Sequence, residues 1–284
     1  MSQTAFHLHR PKVQTTGVVF ASPHSGRDYR ADFLKKTILD DHAIRSSEDA
    51  FVDRLFERAP LYGAPLITAS APRAYVDLNR APEELDPALI GDLRKVAHNP
   101  RVASGLGVVP RVVSNGRPIY RGKITLDEVH QRITNYWRPY HDQVQSLLTE
   151  ARLSHGWAVL IDCHSMPRDA IVQSRGTKAA DVVLGDRFGA AASPEVVEWI
   201  EAAFANAGLT VARNAPFAGA YIAQAYGRPS RNQHVVQVEI DRSLYMDEAQ
   251  IMPNANFNAF RRLLSDVIEE VTGLWRTELP VAAE

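Results

Sequence analysis

The stretch GVVFASPHSGRDY, residues 17–29, contains the pattern that decides the fold. Its apolar run, residues 18–21, is β-branched and aromatic and lies between Gly17 and Pro23, which is typical of a buried strand. The SPHSG segment after it has turn chemistry and places His24 at the end of this strand. Because ligands in open α/β sheets bind outside the carboxyl ends of the strands, His24 is a candidate functional residue. The alternative is a histidine that only forms hydrogen bonds within its loop.

Strand-like and helical segments alternate along the rest of the chain. Further strand-like runs occupy 64–70, 73–86, 157–167 and 234–245. Helical periodicity predicts helices within 49–60, 126–156, 193–208 and 257–275, and Pro139 is expected to kink or restart the second of them. This alternation predicts an α/β fold with a largely parallel sheet, built as a single domain over residues 1–284.

The composition excludes several classes of protein. Hydrophobic residues make up 45% and charged residues 23% of the 284 residues, and the net charge is −1, so nothing indicates binding to nucleic acid or to an anionic membrane. The single cysteine, Cys163, excludes an intrachain disulfide and a cysteine-rich zinc site. No apolar run is long enough to span a membrane, and the first residues lack the apolar segment of a signal peptide. We therefore expect a cytoplasmic enzyme without nucleic-acid or membrane partners, and make no prediction of its oligomeric state.

Polar and ionisable residues occur where the predicted strands end. They are His24, the acidic group Glu48, Asp49 and Asp53, the DLNR segment at 77–80, the DCHS segment at 162–165, and Glu239 inside the last strand. Catalytic zinc sites use three protein ligands, commonly histidine nitrogens and carboxylate oxygens, and keep one position open. His24, His164 and one of the acids at 48–53 would supply such a set. The sequence therefore predicts a metal site.

Three residues of these clusters have competing interpretations. Asp162 lies two residues before His164, hence on the same face of the strand, where it can accept a hydrogen bond from a ligand imidazole or from loop amides. Cys163 faces the other way and is expected to be a buried apolar residue, not a nucleophile. Glu239 is either a buried general base with a raised pKa or one of several alternating polar residues on a solvent-facing strand.

The DLNR segment offers a possible contact to a substrate carboxylate. The planar guanidinium of Arg80 can bind a carboxylate through two hydrogen bonds, and the neighbouring Asn79 can add a third. The alternative is that Arg80 forms only a salt bridge at the protein surface. Arginines are frequent in the predicted loops of a chain without net positive charge, which favours a small acidic substrate over a polyanion. Long loops at 97–123 and 165–192 are expected to be functional or mobile, and the second suits a cover over the substrate.

These segments resemble the N-formylglutamate amidohydrolase family, the deformylases of histidine breakdown. The resemblance covers nearly the whole chain through the collinear motifs ASPHSGRDY, SSEDAFVDRLF, PRAYVDLNRAPEELD, GLGVVPRVV, PIYRGKIT, RPYHDQ, LIDCHSMP, DVVLGDRFG, FAGAYIAQAYG and VVQVEIDRSLYMDE. The family is similar in turn to the zinc carboxypeptidase and aspartoacylase superfamily. The resemblance therefore implies a zinc-exopeptidase-like domain with a mixed central sheet, and Zn²⁺ or another divalent metal as cofactor.

The resemblance also implies a set of metal ligands. His24 and His164 correspond to the two metal histidines. The superfamily commonly places a glutamate ligand three residues after the first histidine, but Arg27 stands there in this chain. Asp49 is therefore predicted as the third ligand, with Glu48 as the second choice.

Further roles follow from the resemblance, together with a reaction. Glu239 corresponds to the catalytic glutamate, Asn79 and Arg80 to the substrate-carboxylate motif, and Tyr221 to a residue that closes over the substrate. A glutamate product has two carboxylates, so a second cation, Arg73 or Arg111, is expected to face the other one. The implied substrate is a small acidic N-acyl amino acid, N-formyl-L-glutamate, hydrolysed to formate and L-glutamate. A zinc amidohydrolase for another N-acyl or N-formimidoyl amino acid, and a non-catalytic protein that binds an acidic amino acid, are the alternatives.

Overall fold

One mixed sheet forms the centre of the molecule. The computed structural model describes residues 4–93, 99–172 and 179–275. Within these residues, seven strands form a sheet in the spatial order β1-β3-β2-β4-β7-β5-β6. The strands are β1 Phe6–His9, β2 Val18–Ser22, β3 Leu66–Ala69, β4 Ala158–Met166, β5 Val182–Gly185, β6 Val211–Arg213 and β7 Gln233–Asp241, and a separate small sheet pairs β8 Met246–Asp247 with β9 Met252–Pro253.

Most neighbouring strands of the large sheet are parallel. Strands β3, β2, β4 and β7 run in one direction, while β1 is antiparallel to β3 and β5 is antiparallel to β7. Every residue of β2, β4 and β7 is buried, as expected for parallel strands that are covered on both faces. The predicted α/β fold with a mixed, largely parallel sheet flanked by helices is confirmed.

Helices cover both faces of this sheet. They are α1 Ala31–Leu34, α2 Val52–Leu55, α3 Pro100–Ala103, α4 Leu126–Arg132, α5 Arg138–His155, α6 Asp169–Val172, α7 Pro194–Asn206, α8 Tyr221–Tyr226 and α9 Phe257–Thr272. Successive residues of a strand point to opposite faces, so Val19 and Ala21 of β2 join the apolar layer under α5, while Val18 and Phe20 join the layer under α7 and α9. None of the helices in the described parts of the chain is both long and apolar enough to cross a membrane.

A widened turn joins α4 to α5. Residues Ile133–Trp137 form a π-helical turn, and Pro139 follows it inside the first turn of α5. Proline has no N–H to donate to the carbonyl four residues earlier, and a wider turn lets the helix continue past it. The interruption expected at Pro139 is therefore a change of helical pitch rather than a break in the helix.

Some predicted element bounds were wrong. Residues 73–80 belong to no strand, because backbone N–H groups there bond locally: the N–H of Tyr75 donates to the Pro72 carbonyl at 2.9 Å, and that of Asn79 donates to Asp77 Oδ1 at 2.8 Å. The helix expected at 49–60 is reduced to α2 and a 3-10 turn at Ala59–Tyr62, which contains Pro60. Strand β5 lies within the expected loop 165–192, whose residues 173–178 are outside the described part of the chain.

Candidate active site

A cavity of about 600 Å³ lies at the carboxyl ends of β2, β4 and β7. Residues from these strands and from the loops after them line it. Those with ionisable side chains are His24, Asp49, Arg73, Asp77, Arg80, Arg101, His164, Glu239 and Arg242. The parallel direction of the three strands explains why side chains far apart in the sequence meet at one edge of the sheet.

His24, Asp49 and His164 form the deepest part of this cavity. Each of them is at least 97% buried. Asp49 Oδ2 lies 2.9 Å from His164 Nδ1 and 3.3 Å from His24 Nδ1. One ligand atom from each residue fits within a group whose members all lie within 4.8 Å of one another. The three residues predicted as metal ligands are therefore brought together.

Local backbone structure places His24 and Asp49 next to each other. The SPHSG turn packs directly on residues 70–71, where a Cβ on Gly26 would collide with the carbonyl oxygen of Ala71. The backbone N–H of Asp49 donates to the His24 carbonyl at 3.1 Å. The close approach of position 26 to Ala71 needs a residue without a side chain, which explains the glycine two residues after the site histidine.

A second carboxylate orients each histidine from behind. His24 Nε2 lies 2.7 Å from Asp77 Oδ1, and His164 Nε2 lies 3.1 Å from Asp162 Oδ1. Both imidazoles are therefore held with Nδ1 toward Asp49, the arrangement that metal-bound histidines usually show. The face predicted for Asp162, alongside His164, agrees with this contact.

The cluster as a whole favours a positive charge at its centre. Although burial opposes it, the carboxylates of Asp162 and Asp49 raise the pKa of His164 well above its ordinary value. Burial likewise opposes the ionised form of Asp49, but its histidine neighbours hold the pKa of this carboxyl well below its ordinary value. His24 Nδ1 is buried without a hydrogen-bond partner among the described residues. The group therefore offers two imidazole nitrogens, one of them the unpartnered His24 Nδ1, and one carboxylate oxygen. These ligand types suit a divalent metal such as zinc.

Arg242, directly after β7, fixes the orientation of Asp49. Its Nη2 donates to Asp49 Oδ1 at 3.0 Å and to the Glu48 carbonyl at 2.8 Å, and its Nε donates to Ser165 Oγ at 3.1 Å. Asp49 thus presents Oδ1 to the arginine and Oδ2 to the histidines. The position of Arg242 just past the carboxyl end of a strand is the sequence signal for such a role.

Glu239 faces the same cavity from β7. It stands beside His164 in the register of β7 and β4 and is only 8% exposed, so a solvent-facing strand is excluded. Gln237 Nε2 donates to Glu239 Oε1 at 2.8 Å. Burial raises the pKa of Glu239 to about 7, and the charge of Asp49 adds to this effect. A carboxylate of that pKa can accept and return a proton near neutral pH.

Arg80 and Arg73 are the cavity arginines nearest the DLNR turn. Arg80 is 7% exposed, and its Nε has no hydrogen-bond partner among the residues described. Its nearest carboxylate contact is 4.0 Å from Nε, to Asp77 Oδ2. Arg73 donates from Nε to the same oxygen at 3.0 Å and lines the cavity. Arg80 is therefore positioned to bind an anion that enters the cavity.

Asn79 is bound mainly to the protein itself. Its Oδ1 accepts the N–H of Ile222 at 2.8 Å, and its Nδ2 donates to Asp162 Oδ2 at 3.4 Å. It lines the cavity, but these contacts tie α8 to β4. Asn79 therefore has a structural role, and the substrate contact predicted for it would be an additional one.

Three other predicted candidates lie away from the cavity lining. Arg111 donates from Nε to Asp86 Oδ2 at 2.8 Å. Tyr221 packs on Trp137, with ring centroids 5.7 Å apart. Glu48, the second choice for the metal, accepts hydrogen bonds from Tyr29 and Arg45 instead.

Among the polar lining residues that sequence reasoning did not assign to the site are Gln237 and Arg101. The sequence could have indicated Gln237, because it lies two residues before Glu239 on a strand and therefore points to the same face of the sheet. Arg101 belongs to α3 in a loop region, and no periodicity in the sequence relates it to the site.

Fold and cavity together define an α/β protein with a candidate metal-dependent hydrolase site, in which two histidines, three carboxylates and several arginines share one cavity. Comparison with known proteins gives a family. The family model of N-formylglutamate amidohydrolase matches residues 16–246, so the chain belongs to that family.

Individual relatives match over most of their length. N-formylglutamate deformylase of Pseudomonas putida is 28% identical over 236 residues, which are 82% of this chain and 83% of the relative. N-formylglutamate deformylase of Pseudomonas aeruginosa is 28% identical over 234 residues, 81% of this chain and 82% of the relative. The crystal structure of N-formylglutamate amidohydrolase from Ralstonia eutropha JMP134 is 34% identical, with a TM-score of 0.88 over 94% of this chain and 96% of that one.

Proposed function

We propose that this chain hydrolyses the formyl amide of N-formyl-L-glutamate in a metal-dependent reaction, with Zn²⁺ as the expected metal. The main support is the buried His24 Nδ1, which has no hydrogen-bond partner among the described residues and lies beside Asp49 Oδ2 in the cavity that Glu239 and Arg80 also line. The names of the Pseudomonas relatives support formylglutamate as the substrate. A cytoplasmic location and a place in histidine breakdown belong to the same proposal.

The metal would be held by His24 Nδ1, His164 Nδ1 and Asp49 Oδ2. When bound, a divalent ion would polarise the formyl carbonyl and lower the pKa of a water molecule in the cavity. Asp77 and Asp162 keep the two imidazoles turned toward that position, and Arg242 keeps Asp49 turned toward it.

Glu239 is the proposed general base. Its carboxylate takes a proton from the water whose oxygen attacks the formyl carbon, and it returns that proton to the leaving nitrogen as the C–N bond breaks. The products are formate, which keeps the water oxygen, and L-glutamate with a free amine. The pKa of about 7 that burial gives Glu239 suits both proton transfers near neutral pH.

Arginines of the cavity would hold the substrate carboxylates. Arg80 has an unpartnered Nε among the described residues and would bind one carboxylate, while Arg73 or Arg101, which line the same cavity, would meet the other. Arg111 is replaced in this role because it is paired with Asp86. Binding at both carboxylates fixes the formyl amide next to Glu239.

Arg80→Met should raise KM for N-formyl-L-glutamate by roughly 10- to 100-fold, the value expected for losing a charged hydrogen-bond pair. Methionine keeps much of the buried volume and removes every donor. Arg111→Met is the control, since Arg111 pairs with Asp86 and does not line the cavity, and its KM should stay within about twofold of wild type. Steady-state kinetics of both variants gives the answer. A high KM for the Arg111 variant together with a normal KM for the Arg80 variant would reverse the assignment.

Release of formate and glutamate from N-formyl-L-glutamate tests the proposed function directly. The assay compares purified protein, protein treated with a chelator, and chelated protein to which Zn²⁺ is returned. We expect turnover that disappears with chelation and returns with the metal. Turnover that resists chelation would contradict the metal role. A zinc-loaded protein that releases formate or ammonia only from another N-acyl or N-formimidoyl amino acid would change the substrate, and binding without any hydrolysis would leave an acidic amino-acid binding protein.

A further inference from the structure

Trp137 of the π-helical turn and His141 of α5 form hydrogen bonds to the backbone of the DLNR turn on either side of Asn79. Trp137 Nε1 donates to the carbonyl oxygen of Arg80 at 2.9 Å. His141 Nε2 lies 2.9 Å from the carbonyl oxygen of Leu78. These two carbonyls belong to the residues immediately before and after Asn79, so the turn is held at both ends.

The Leu78 carbonyl oxygen fixes the tautomer of His141. Burial lowers the pKa of His141 to about 4, so the ring is neutral near pH 7 and carries one N–H. Because a carbonyl oxygen only accepts, that N–H is at Nε2, which donates to Leu78 at 2.9 Å. Nδ1 then accepts from Tyr226 Oη at 2.7 Å, and the same hydroxyl lies 3.2 Å from the His141 carbonyl oxygen.

Packing makes Trp137 and His141 one rigid unit. Their ring centroids are 3.9 Å apart in a stacked arrangement, and the Tyr221 ring lies 5.7 Å from the first and 5.5 Å from the second. The two residues are four apart, so they lie on the same face of the helix. Trp137 is also the last residue of the widened π-helical turn, a feature frequent at functional sites.

We infer that Trp137 and His141 are positioning residues that hold the backbone of the DLNR turn so that the Arg80 guanidinium meets a substrate carboxylate. This inference rests on the proposed function, because it assigns the carboxylate to Arg80. Among the described residues, Arg80 Nε has no hydrogen-bond partner, so the placement of the guanidinium depends on the backbone from which the side chain extends. Tyr221, expected from the family resemblance to close over the substrate, supports the two rings instead.

Trp137→Phe is the test, because phenylalanine keeps an aromatic ring but lacks the N–H donor and is smaller than the indole. Trp199→Phe is the matched control, since it makes the same change of ring size and removes an Nε1 donor that bonds the Glu270 carbonyl at 3.0 Å outside the cavity lining. We expect the Trp137 variant to show a KM about five- to tenfold above wild type with kcat within about twofold, as for a lost hydrogen bond that serves binding. The Trp199 variant should keep both constants.

Two readouts do not need hydrolysis. Amide hydrogen exchange in residues 76–82 should be at least about fivefold faster in the Trp137 variant than in wild type and in the Trp199 variant. Calorimetric titration with glutarate, a plain dicarboxylate, should show about five- to tenfold weaker binding to the Trp137 variant.

The possible outcomes separate the inference from the proposed function. Unchanged exchange in residues 76–82, or unchanged glutarate affinity, would overturn the positioning role. So would a lower kcat at normal KM, or a wild type that does not bind glutarate. If wild type binds glutarate but does not hydrolyse N-formyl-L-glutamate, the proposed function fails, and exchange and glutarate binding still decide the role of Trp137.

Discussion

Glu239→Gln should lower kcat for N-formyl-L-glutamate by about 10²- to 10⁴-fold, the contribution usual for a general acid–base residue. The amide has nearly the shape of the carboxylate but accepts no proton from water and returns none to the leaving nitrogen. Gln237 Nε2 can still donate to the remaining oxygen of residue 239, so the side chain should keep its place. KM should change little, because the role proposed for Glu239 is proton transfer at the attacking water and not binding of the substrate carboxylates.

Metal content separates a chemical role of Glu239 from a structural one. Glu239 is not part of the His24–Asp49–His164 group, so the variant should bind as much zinc as wild type when both are measured by elemental analysis. Glu195→Gln, a substitution of the same kind at an exposed position of the first turn of α7, should leave kcat and metal content unchanged. A Glu239 variant that loses zinc would place the residue among the ligands, and one with wild-type kcat would exclude it as the base.

Sequence patterns predicted the central part of the fold because those strands are covered on both faces. All residues of β2, β4 and β7 are buried, and the apolar runs that begin β2 and β4, residues 18–21 and 158–161, stand out from the surrounding sequence. Edge strands such as β1 and β6, with four and three residues, contain too few positions for a period to be visible. Local sequence also does not encode the antiparallel direction of β5 relative to β7, which is a pairing between distant segments.

The candidate site was predictable to the extent that its residues end strands. His24 and His164 follow this rule, and alternation along β4 placed Asp162 on the face of His164. Arg111 could not be separated from Arg80 in this way, because its pairing with Asp86 spans 25 residues and arises only from the folded loop. The choice among the acids at 48–53 likewise depended on the fold: Glu48 turns toward Arg45 and Tyr29, and Asp49 turns toward the histidines.

Asp49→Asn should abolish stoichiometric zinc binding, with an affinity at least about 100-fold below wild type, since even residues behind the ligands are worth 10- to 100-fold. The asparagine can still accept the Arg242 hydrogen bond through its oxygen, as Asp49 Oδ1 does. Its NH₂ group then occupies the position of Oδ2, 2.9 Å from His164 Nδ1, and offers hydrogens where a ligand lone pair is needed. Turnover of N-formyl-L-glutamate should fall with the loss of metal.

Two neighbouring acids provide matched controls for Asp49. Glu48→Gln changes a carboxylate that is bound by Arg45 and Tyr29, and Asp53→Asn changes one that is paired with Arg27. Both variants should retain wild-type zinc content after dialysis, and zinc should raise their Tm as it raises that of wild type, because a ligand that binds only the folded state stabilises it. The Asp49 variant should show no such rise. If the Glu48 variant loses zinc while the Asp49 variant retains it, Glu48 is the third ligand and the contacts of its carboxylate with Arg45 and Tyr29 must break when the metal binds.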